Sequence, residues 1–164
     1  MTQCRGVEVA FVPHMVNHRE MMRLRVPINF GVIGEGGSGG ALGIGVADHV
    51  LILENAYYSV ISPEARFAIL WRDRRHAAEV AEALKLTAQD LLKLDVVDEI
   101  VPEPEGGAHC DYDTAATNLD AALGQNLERG MNTPVEELLK KRYKKFRALG
   151  NFAEGKATST AARS

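Results

Sequence analysis

The sequence predicts an α/β fold in which the strands pair largely in parallel. Apolar-rich runs at residues 26–33, 49–54 and 96–102 alternate with helical patterns, which is typical of a parallel sheet covered by helices. Proline and glycine bound the first run, which suits a buried strand. The chain has 164 residues, 46% of them hydrophobic and 25% charged, so it is long enough for one domain with its own core.

The first elements lead into a dense cluster of glycines. Residues 16–25 show a helical pattern that Pro27 ends. The predicted strand at 26–33 then runs into residues 34–40, Gly-Glu-Gly-Gly-Ser-Gly-Gly. The small residues 41–47 that follow can form only about two helical turns.

The second predicted strand, 49–54, continues loosely through residues 57–60 and is followed by a helix start signal. In Ser62-Pro63-Glu64 the serine can cap free amides, the proline sits where an N–H is not needed, and the glutamate complements the helix dipole. This helix is expected to run through Trp71.

Helices dominate the rest of the chain. Thr87 with Asp90 predicts a capped short helix before the strand at 96–102. The other predicted helices cover residues 76–84, 113–129 and 133–149.

The charge balance excludes a generally basic nucleic-acid binder. Nineteen basic and 22 acidic residues leave a formal net charge of −3. The basic run at residues 140–147 is typical of a solvated helix face, with a subunit contact as the alternative.

Cysteine spacing and hydropathy argue against a disulfide-bonded, metal-binding, secreted or membrane-spanning protein. Cys4 and Cys110 lie far apart without a CxxC pair, so we expect reduced thiols, no disulfide and no metal site. No secretory signal and no apolar stretch of about 18 residues is visible, so we expect a cytoplasmic protein without a membrane partner. The polar tail, residues 151–164, is expected to be disordered.

The five glycines within residues 34–40 permit two interpretations. Glycine allows another group to approach the backbone closely, and free amides at a helix start attract anionic oxygen, so the segment can be an oxyanion site. Alternatively, the glycines only allow a tight turn between a strand and a helix.

Nucleotide and hydrolase motifs match only in part. Gly34, Gly36 and Gly39 satisfy G-x-G-x-x-G and Glu54 follows at a suitable distance, but the next strand begins too soon for a dinucleotide-binding unit. The Lys and Ser or Thr of a Walker motif are also missing. Residues 36–40 fit G-x-S-x-G, and a hydrolase would take its histidine from His76 or His109.

Longer motifs carry a family resemblance. VIGEGGSGGALGIGVADHVL at residues 32–51 and NAYYSVISPE at 55–64 resemble the carboxyltransferase alpha subunit of bacterial acetyl-CoA carboxylase. The resemblance continues through AILW at 68–71, AEALKLTA at 81–88, VDEIVPEP at 97–104 and GGAH at 106–109, and ends near Leu149.

The resemblance implies a crotonase/ClpP-like superhelix of stacked β-β-α turns, truncated at its N-terminus and closed by C-terminal helices. It implies a transferase of fatty acid synthesis that moves a carboxyl group from carboxybiotin to acetyl-CoA, giving malonyl-CoA, within an ATP-dependent complex. The implied partners are a carboxyltransferase beta subunit, in an α2β2 hetero-oligomer, and the biotin carboxyl carrier protein, which carries the biotin cofactor.

The resemblance implies that biotin is released through a ureido oxyanion, to which the alpha subunit offers glycine amides. This agrees with the first interpretation of the glycine segment as an oxyanion site, and the reaction needs no side-chain nucleophile. The backbone amides of Gly39 and Gly40 are the first choice of donors, and those of Gly36 and Gly37 the second. Contacts with substrate are expected from Ser38, Tyr58, Ser62, Glu64 and His109. For the basic run at residues 140–147, the resemblance adds binding of a coenzyme A phosphate as a further alternative.

The sequence also departs from the family pattern. Residues 1–16 diverge, so residues 17–150 are assigned to the C-terminal part of a carboxyltransferase domain. Ala65-Arg66-Phe67 replaces smaller residues, and Asn29-Phe30-Gly31 interrupts an aliphatic strand. Two alternatives therefore stay open: an inactive fragment that keeps the subunit-interaction surface, and a crotonase-like acyl-CoA hydrolase or isomerase.

Overall fold

The computed structural model describes residues 16–37, 45–59 and 85–150, and these form strands and helices in the alternating order that the sequence predicts. A helix at residues 16–23 (α1) comes first. The strands are β1 (Asn29–Val32), β2 (Glu35–Gly37), β3 (His49–Leu53), β4 (Tyr57–Ser59) and β5 (Glu99–Val101). The later helices are α2 (Ala88–Lys93), α3 (Tyr112–Met131) and α4 (Val135–Ala148).

The strands form two parallel sheets. The larger sheet has the order β1-β3-β5, and Leu51 at its centre is in register with Gly31 and Glu99. The smaller sheet pairs β2 with β4. Residues 50–53 of β3 are all buried, as expected for a central strand covered on both faces. The predicted α/β class and parallel pairing are therefore confirmed.

The two faces of β1 meet different layers, which explains the residues that interrupt its aliphatic pattern. On one face the Phe30 ring packs edge-on against Tyr58 of the smaller sheet, with centroids 6.1 Å apart. On the other face Asn29 donates its side-chain amide to the Leu123 carbonyl of α3. A Cβ at Gly31 would lie 3.9 Å from the Leu119 side chain, so this helix packs closely over the strand.

Two strand predictions need correction. Residues 57–59 do not continue β3, because a turn at Glu54–Asn55 sends the chain into the smaller sheet. Residues 35–37, expected within a loop, form β2 beside β4. The third strand covers only residues 99–101, since the carboxylate of Asp98 accepts a hydrogen bond from the Val50 amide before the ladder begins.

The helix predictions hold where the structure describes them, apart from details at the ends. The Thr87 hydroxyl accepts from the Asp90 amide as the N-cap of α2, as predicted. The helices predicted at 113–129 and 133–149 are α3 and α4. Residues 45–47, expected to end a short helix, are not helical. The predicted helices through Trp71 and at 76–84 lie outside the described residues.

The basic run in α4 is not simply a solvated face. Arg142 is 1% exposed, and its Nε and Nη2 donate to the two oxygens of Asp48 at 2.8 and 2.7 Å. The same guanidinium donates to the carbonyls of Met21, Leu24 and Val26, so all five of its N–H groups are used. These bonds fix α4 to the end of α1 and to the amino end of the sheet.

Candidate functional site

The carboxyl ends of the strands gather the segments that the sequence analysis singled out. Gly34 follows β1, Glu54 follows β3 and Glu103 follows β5. Hydrogen bonds join these ends, from the Tyr57 amide to the Gly34 carbonyl and from the Glu54 amide to the Val101 carbonyl, each 3.0 Å long. Ligands of open α/β sheets bind at this end of the strands, so the glycine segment starts where a site is expected.

Gly36 is required by packing against Tyr58. The two residues are in register across β2 and β4, and a Cβ at Gly36 would lie 2.5 Å from Cδ2 of the Tyr58 ring. No side chain fits at that distance. Burial raises the pKa of the Tyr58 phenol, which is uncharged near pH 7 already at its ordinary value. Tyr58 therefore forms a half-buried support beneath the glycine strand.

Gly37 differs from Gly36 in its surroundings. It is exposed, and no described atom lies within 4 Å of the position its Cβ would take. Among the described residues, the packing reason that holds at Gly36 is therefore absent at Gly37.

Glu103 fastens the turn after β5 to the turn after β3. Its carboxylate accepts from the Asn55 amide at 2.9 Å and from the Ala108 amide at 2.7 Å. Partial burial opposes ionisation of Glu103, but these hydrogen bonds and the charge of His109 outweigh it, so its pKa lies below the usual value. In return, the Glu54 carboxylate accepts from the Glu103 amide.

His109 lies at the same end of the sheet, in a turn that needs two glycines. Gly106 and Gly107 have φ angles of 87° and 95°, which other residues rarely adopt. A Cβ at Gly107 would lie 3.2 Å from the His109 ring and 3.5 Å from the Glu103 carboxylate. The turn therefore presents an exposed imidazole beside a carboxylate, and Cys110 is exposed next to it.

The structure brings only some of the predicted site residues into view. Gly36 and Tyr58 are in contact, Gly37 continues the same strand, and His109 lies on the turn that Glu103 holds. The other predicted site residues, Ser38, Gly39, Gly40, Ser62 and Glu64, lie outside the described residues. Sequence reasoning missed Glu103 and Asn55, although the acidic residue between two prolines after β5 was a signal for a fixed turn.

A cleft of about 380 Å³ lies at the opposite, amino end of the sheet, between α3 and α4. Three of the basic side chains that line it have partners. Arg142 is paired with Asp48, Lys145 donates to the carboxylate of Asp98, and Lys141 pairs with Glu137. We therefore place the candidate site at the carboxyl end rather than in this cleft.

The described part of the chain holds neither a metal-binding cluster nor a membrane-spanning helix. Within residues 16–37, 45–59 and 85–150, no three His, Cys, Asp or Glu side chains are grouped so that they could hold a metal ion. The helices in these ranges are also too short or too polar to cross a membrane.

Known proteins of similar sequence are carboxyltransferase subunits of acetyl-CoA carboxylase. A family model described as acetyl co-enzyme A carboxylase carboxyltransferase-like matches residues 12–150. The chain is 61% identical over 136 residues to the acetyl-coenzyme A carboxylase carboxyl transferase subunit alpha of Thermus thermophilus, covering 83% of this chain and 44% of that relative. The subunit alpha of Geobacter metallireducens is 56% identical over 138 residues, which cover 84% of this chain and 43% of the relative.

Solved structures of low sequence identity show the fold. A Pseudomonas malonate decarboxylase hetero-tetramer in complex with coenzyme A aligns with a TM-score of 0.61 at 16% identity, over 79% of this chain and 51% of that one. Transcarboxylase 12S aligns with a TM-score of 0.57 at 16% identity, over 73% of this chain and 23% of that one. The predicted crotonase-like fold is thereby confirmed.

The chain spans less than half the length of the curated relatives it matches, and it corresponds to their C-terminal part. The family model nevertheless covers most of its residues, including all the described strands. The chain belongs to the acetyl co-enzyme A carboxylase carboxyltransferase-like family, as its sequence motifs predict.

Proposed function

We propose that this chain is the C-terminal portion of a carboxyltransferase alpha subunit, and that its assembly moves a carboxyl group from carboxybiotin to acetyl-CoA, giving malonyl-CoA. The remaining parts of that assembly are the N-terminal portion of the alpha subunit, a beta subunit and the biotin carboxyl carrier protein. We propose an α2β2 arrangement in the cytoplasm. The proposal rests on the 61% identity to a named alpha subunit together with the glycine strand at the carboxyl end of the sheet.

Of the two glycines in β2, Gly37 is the one at which a ligand can approach the backbone. No described atom lies within 4 Å of a Cβ at Gly37, while the Tyr58 ring packs directly behind Gly36. When bound, carboxybiotin supplies the activated carboxyl group and leaves negative charge on its ureido oxygen. Backbone amides of the glycine segment, with Gly39 and Gly40 first and Gly36 and Gly37 second, donate hydrogen bonds to that oxygen. Loss of one such preorganised donor typically costs about 3 kcal/mol of transition-state stabilisation.

The side chains around the glycine segment position its backbone and bind the substrate, and none of them acts as a nucleophile. Tyr58 supports β2 from below, and its neutral phenol keeps the layer beneath the amides free of charge. His109 offers a ring N–H to an anionic part of the substrate, and Glu103 holds the turn that presents it. Ser38, Ser62 and Glu64 complete the proposed contacts with substrate.

The reaction can be measured in reverse, as decarboxylation of malonyl-CoA in the presence of free biotin. The chain is co-expressed with a cognate beta subunit, with and without a polypeptide carrying the N-terminal portion of the alpha subunit. The proposal predicts biotin-dependent acetyl-CoA release by the complete assembly. Complex formation without turnover would instead favour an inactive interaction fragment, and hydrolysis of an acyl-CoA by the chain alone would favour a hydrolase.

A further inference from the structure

The cleft between α3 and α4, at the amino end of the sheet, has a mostly basic lining. Arg129 of α3 and Lys141, Arg142 and Lys145 of α4 line it, and Asp48 is the one acidic residue among the described residues that do so. Its volume of about 380 Å³ lies in the range of small-molecule pockets, about 300–1,000 Å³. A cleft with this excess of positive charge attracts anions.

Two of the four basic side chains are available to an anion. The other two are already paired with buried or half-buried carboxylates. Arg129 is exposed and forms no ion pair with a described residue. Lys141 pairs with Glu137 one helical turn away, but the two side chains are 65% and 52% exposed, and exposed pairs of this kind are weak. A ligand can therefore replace Glu137 as the partner of Lys141.

Two asparagines that line the same cleft have side-chain oxygens without a hydrogen-bond donor. Asn126 is 1% exposed, and its amide nitrogen donates to the Glu99 carboxylate at 2.7 Å and to the Ala122 carbonyl at 2.9 Å. These acceptors fix the orientation of the amide, and its oxygen has no donor among the described residues. The side-chain oxygen of Asn29 also lacks one. A ligand with O–H groups supplies the kind of donor that these oxygens lack.

We propose that this cleft binds a small molecule that carries a phosphate group and a hydroxyl donor. The phosphate lies between Arg129 and Lys141, because both side chains form charge-assisted hydrogen bonds with phosphate oxygens. A hydroxyl of the ligand donates toward Asn126. The cleft lies at the other end of the sheet from the glycine segment, so the proposal does not rest on the proposed function.

The test uses inorganic phosphate as the probe, because near pH 7 it carries both anionic oxygens and an O–H. The full 164-residue chain is titrated with phosphate at constant ionic strength, and binding is followed by NMR chemical shifts. We expect saturable binding to the wild-type chain and at least about fivefold weaker binding to Arg129→Gln and to Lys141→Gln. Lys140→Gln and Lys144→Gln are matched controls that should bind as the wild-type chain does, since both lysines are exposed on α4 and do not line the cleft.

The side-chain amide signals of Asn126 test the hydroxyl donor. They should shift with the same saturation curve as the rest of the cleft. The signals of Asn118 should not shift, since its amide donates to the Pro102 carbonyl at the other end of the sheet. Sulfate, an oxyanion of similar size without an O–H, should bind more weakly than phosphate.

Four results would overturn the proposal. They are the absence of saturable binding to the wild-type chain, an equal loss of affinity in the Lys140→Gln and Lys144→Gln controls, Asn126 signals that do not shift, and sulfate binding as tight as phosphate binding. Each would reduce the cleft to a basic surface that attracts any anion or none.

Discussion

Gly36 and Gly37 are adjacent in β2, yet the two residues are glycine for different physical reasons. At Gly36 the Tyr58 ring occupies the space of a side chain, whereas no described atom lies within 4 Å of a Cβ at Gly37. Packing therefore explains the first glycine, and the proposed access of a ligand would explain the second. The sequence alone cannot separate them, because the Tyr58 ring reaches Gly36 only through the pairing of β2 with β4.

Substitution at Gly36 tests the packing. Gly36→Ala places a methyl group 2.5 Å from Cδ2 of Tyr58, so the ring or the strand must shift. Overpacking of this kind typically costs about 1–3 kcal/mol. We expect a lower free energy of unfolding in a denaturant titration. The double variant Gly36→Ala with Tyr58→Leu should recover part of the loss, and no recovery would show that Tyr58 is not the cause.

Glu103 provides a test that depends on pH. Its pKa is lowered in the folded chain, so its ionised form contributes stability above the unfolded-state pKa, and this contribution is lost as the pH falls through the folded-state pKa. Thermal unfolding between about pH 6 and pH 3 should therefore show a smaller fall in Tm for Glu103→Gln than for the wild-type chain. Identical pH profiles of the two proteins would contradict the role assigned to the Asn55 and Ala108 hydrogen bonds.

The attachment of α4 shows how an element is held by one buried side chain. Arg142 joins α4 to Asp48, to one carbonyl in the last turn of α1 and to two carbonyls between α1 and β1. Lys145 adds a contact with Asp98 one turn further on. The neighbouring lysines at positions 140, 141 and 144 are exposed. A uniformly basic run therefore contains one residue that organises the amino end of the sheet.

Two substitutions in α4 separate that residue from its neighbours. Arg142→Ala leaves the Asp48 carboxylate buried without its partner, which typically costs about 3–5 kcal/mol. Lys144→Ala, an exposed control in the same run, should change the free energy of unfolding by less than about 0.5 kcal/mol. Chemical denaturation of both variants measures the difference, and equal effects would contradict the assignment of Arg142.

Across the whole molecule, the sequence predicts the fold class and the order of strands and helices better than it predicts which strands pair with each other. The strands at 26–33 and 49–54 and the capped helix after Thr87 were correctly expected, because apolar periodicity and capping are local signals. The separation of β4 from β3 was missed, since it depends on a turn at Glu54–Asn55 that the apolar pattern does not mark.

In the candidate site, too, the sequence reveals local features but not contacts between residues that are distant in the chain. The glycine segment was identified from composition and a family resemblance, and its described part, residues 34–37, follows β1 at the carboxyl end of the sheet. Glu103 and Arg142 were not recognised, because their partners lie 48 and 94 positions away in the sequence. Interactions of that range become visible only once the strands are assembled.

The central claim is that the open backbone at Gly37 belongs to a carboxyltransferase site. Gly37→Val puts a branched side chain where a Cβ would have no described atom within 4 Å, whereas Gly124→Ala in α3 is a control whose Cβ would likewise meet no described atom, far from the carboxyl end. Both variants are compared with the wild-type chain in the complete assembly, by the rate of biotin-dependent malonyl-CoA decarboxylation. We predict that Gly37→Val loses at least about 100-fold in rate with an unchanged Tm, and that Gly124→Ala keeps its rate. Full activity of Gly37→Val would contradict the claim.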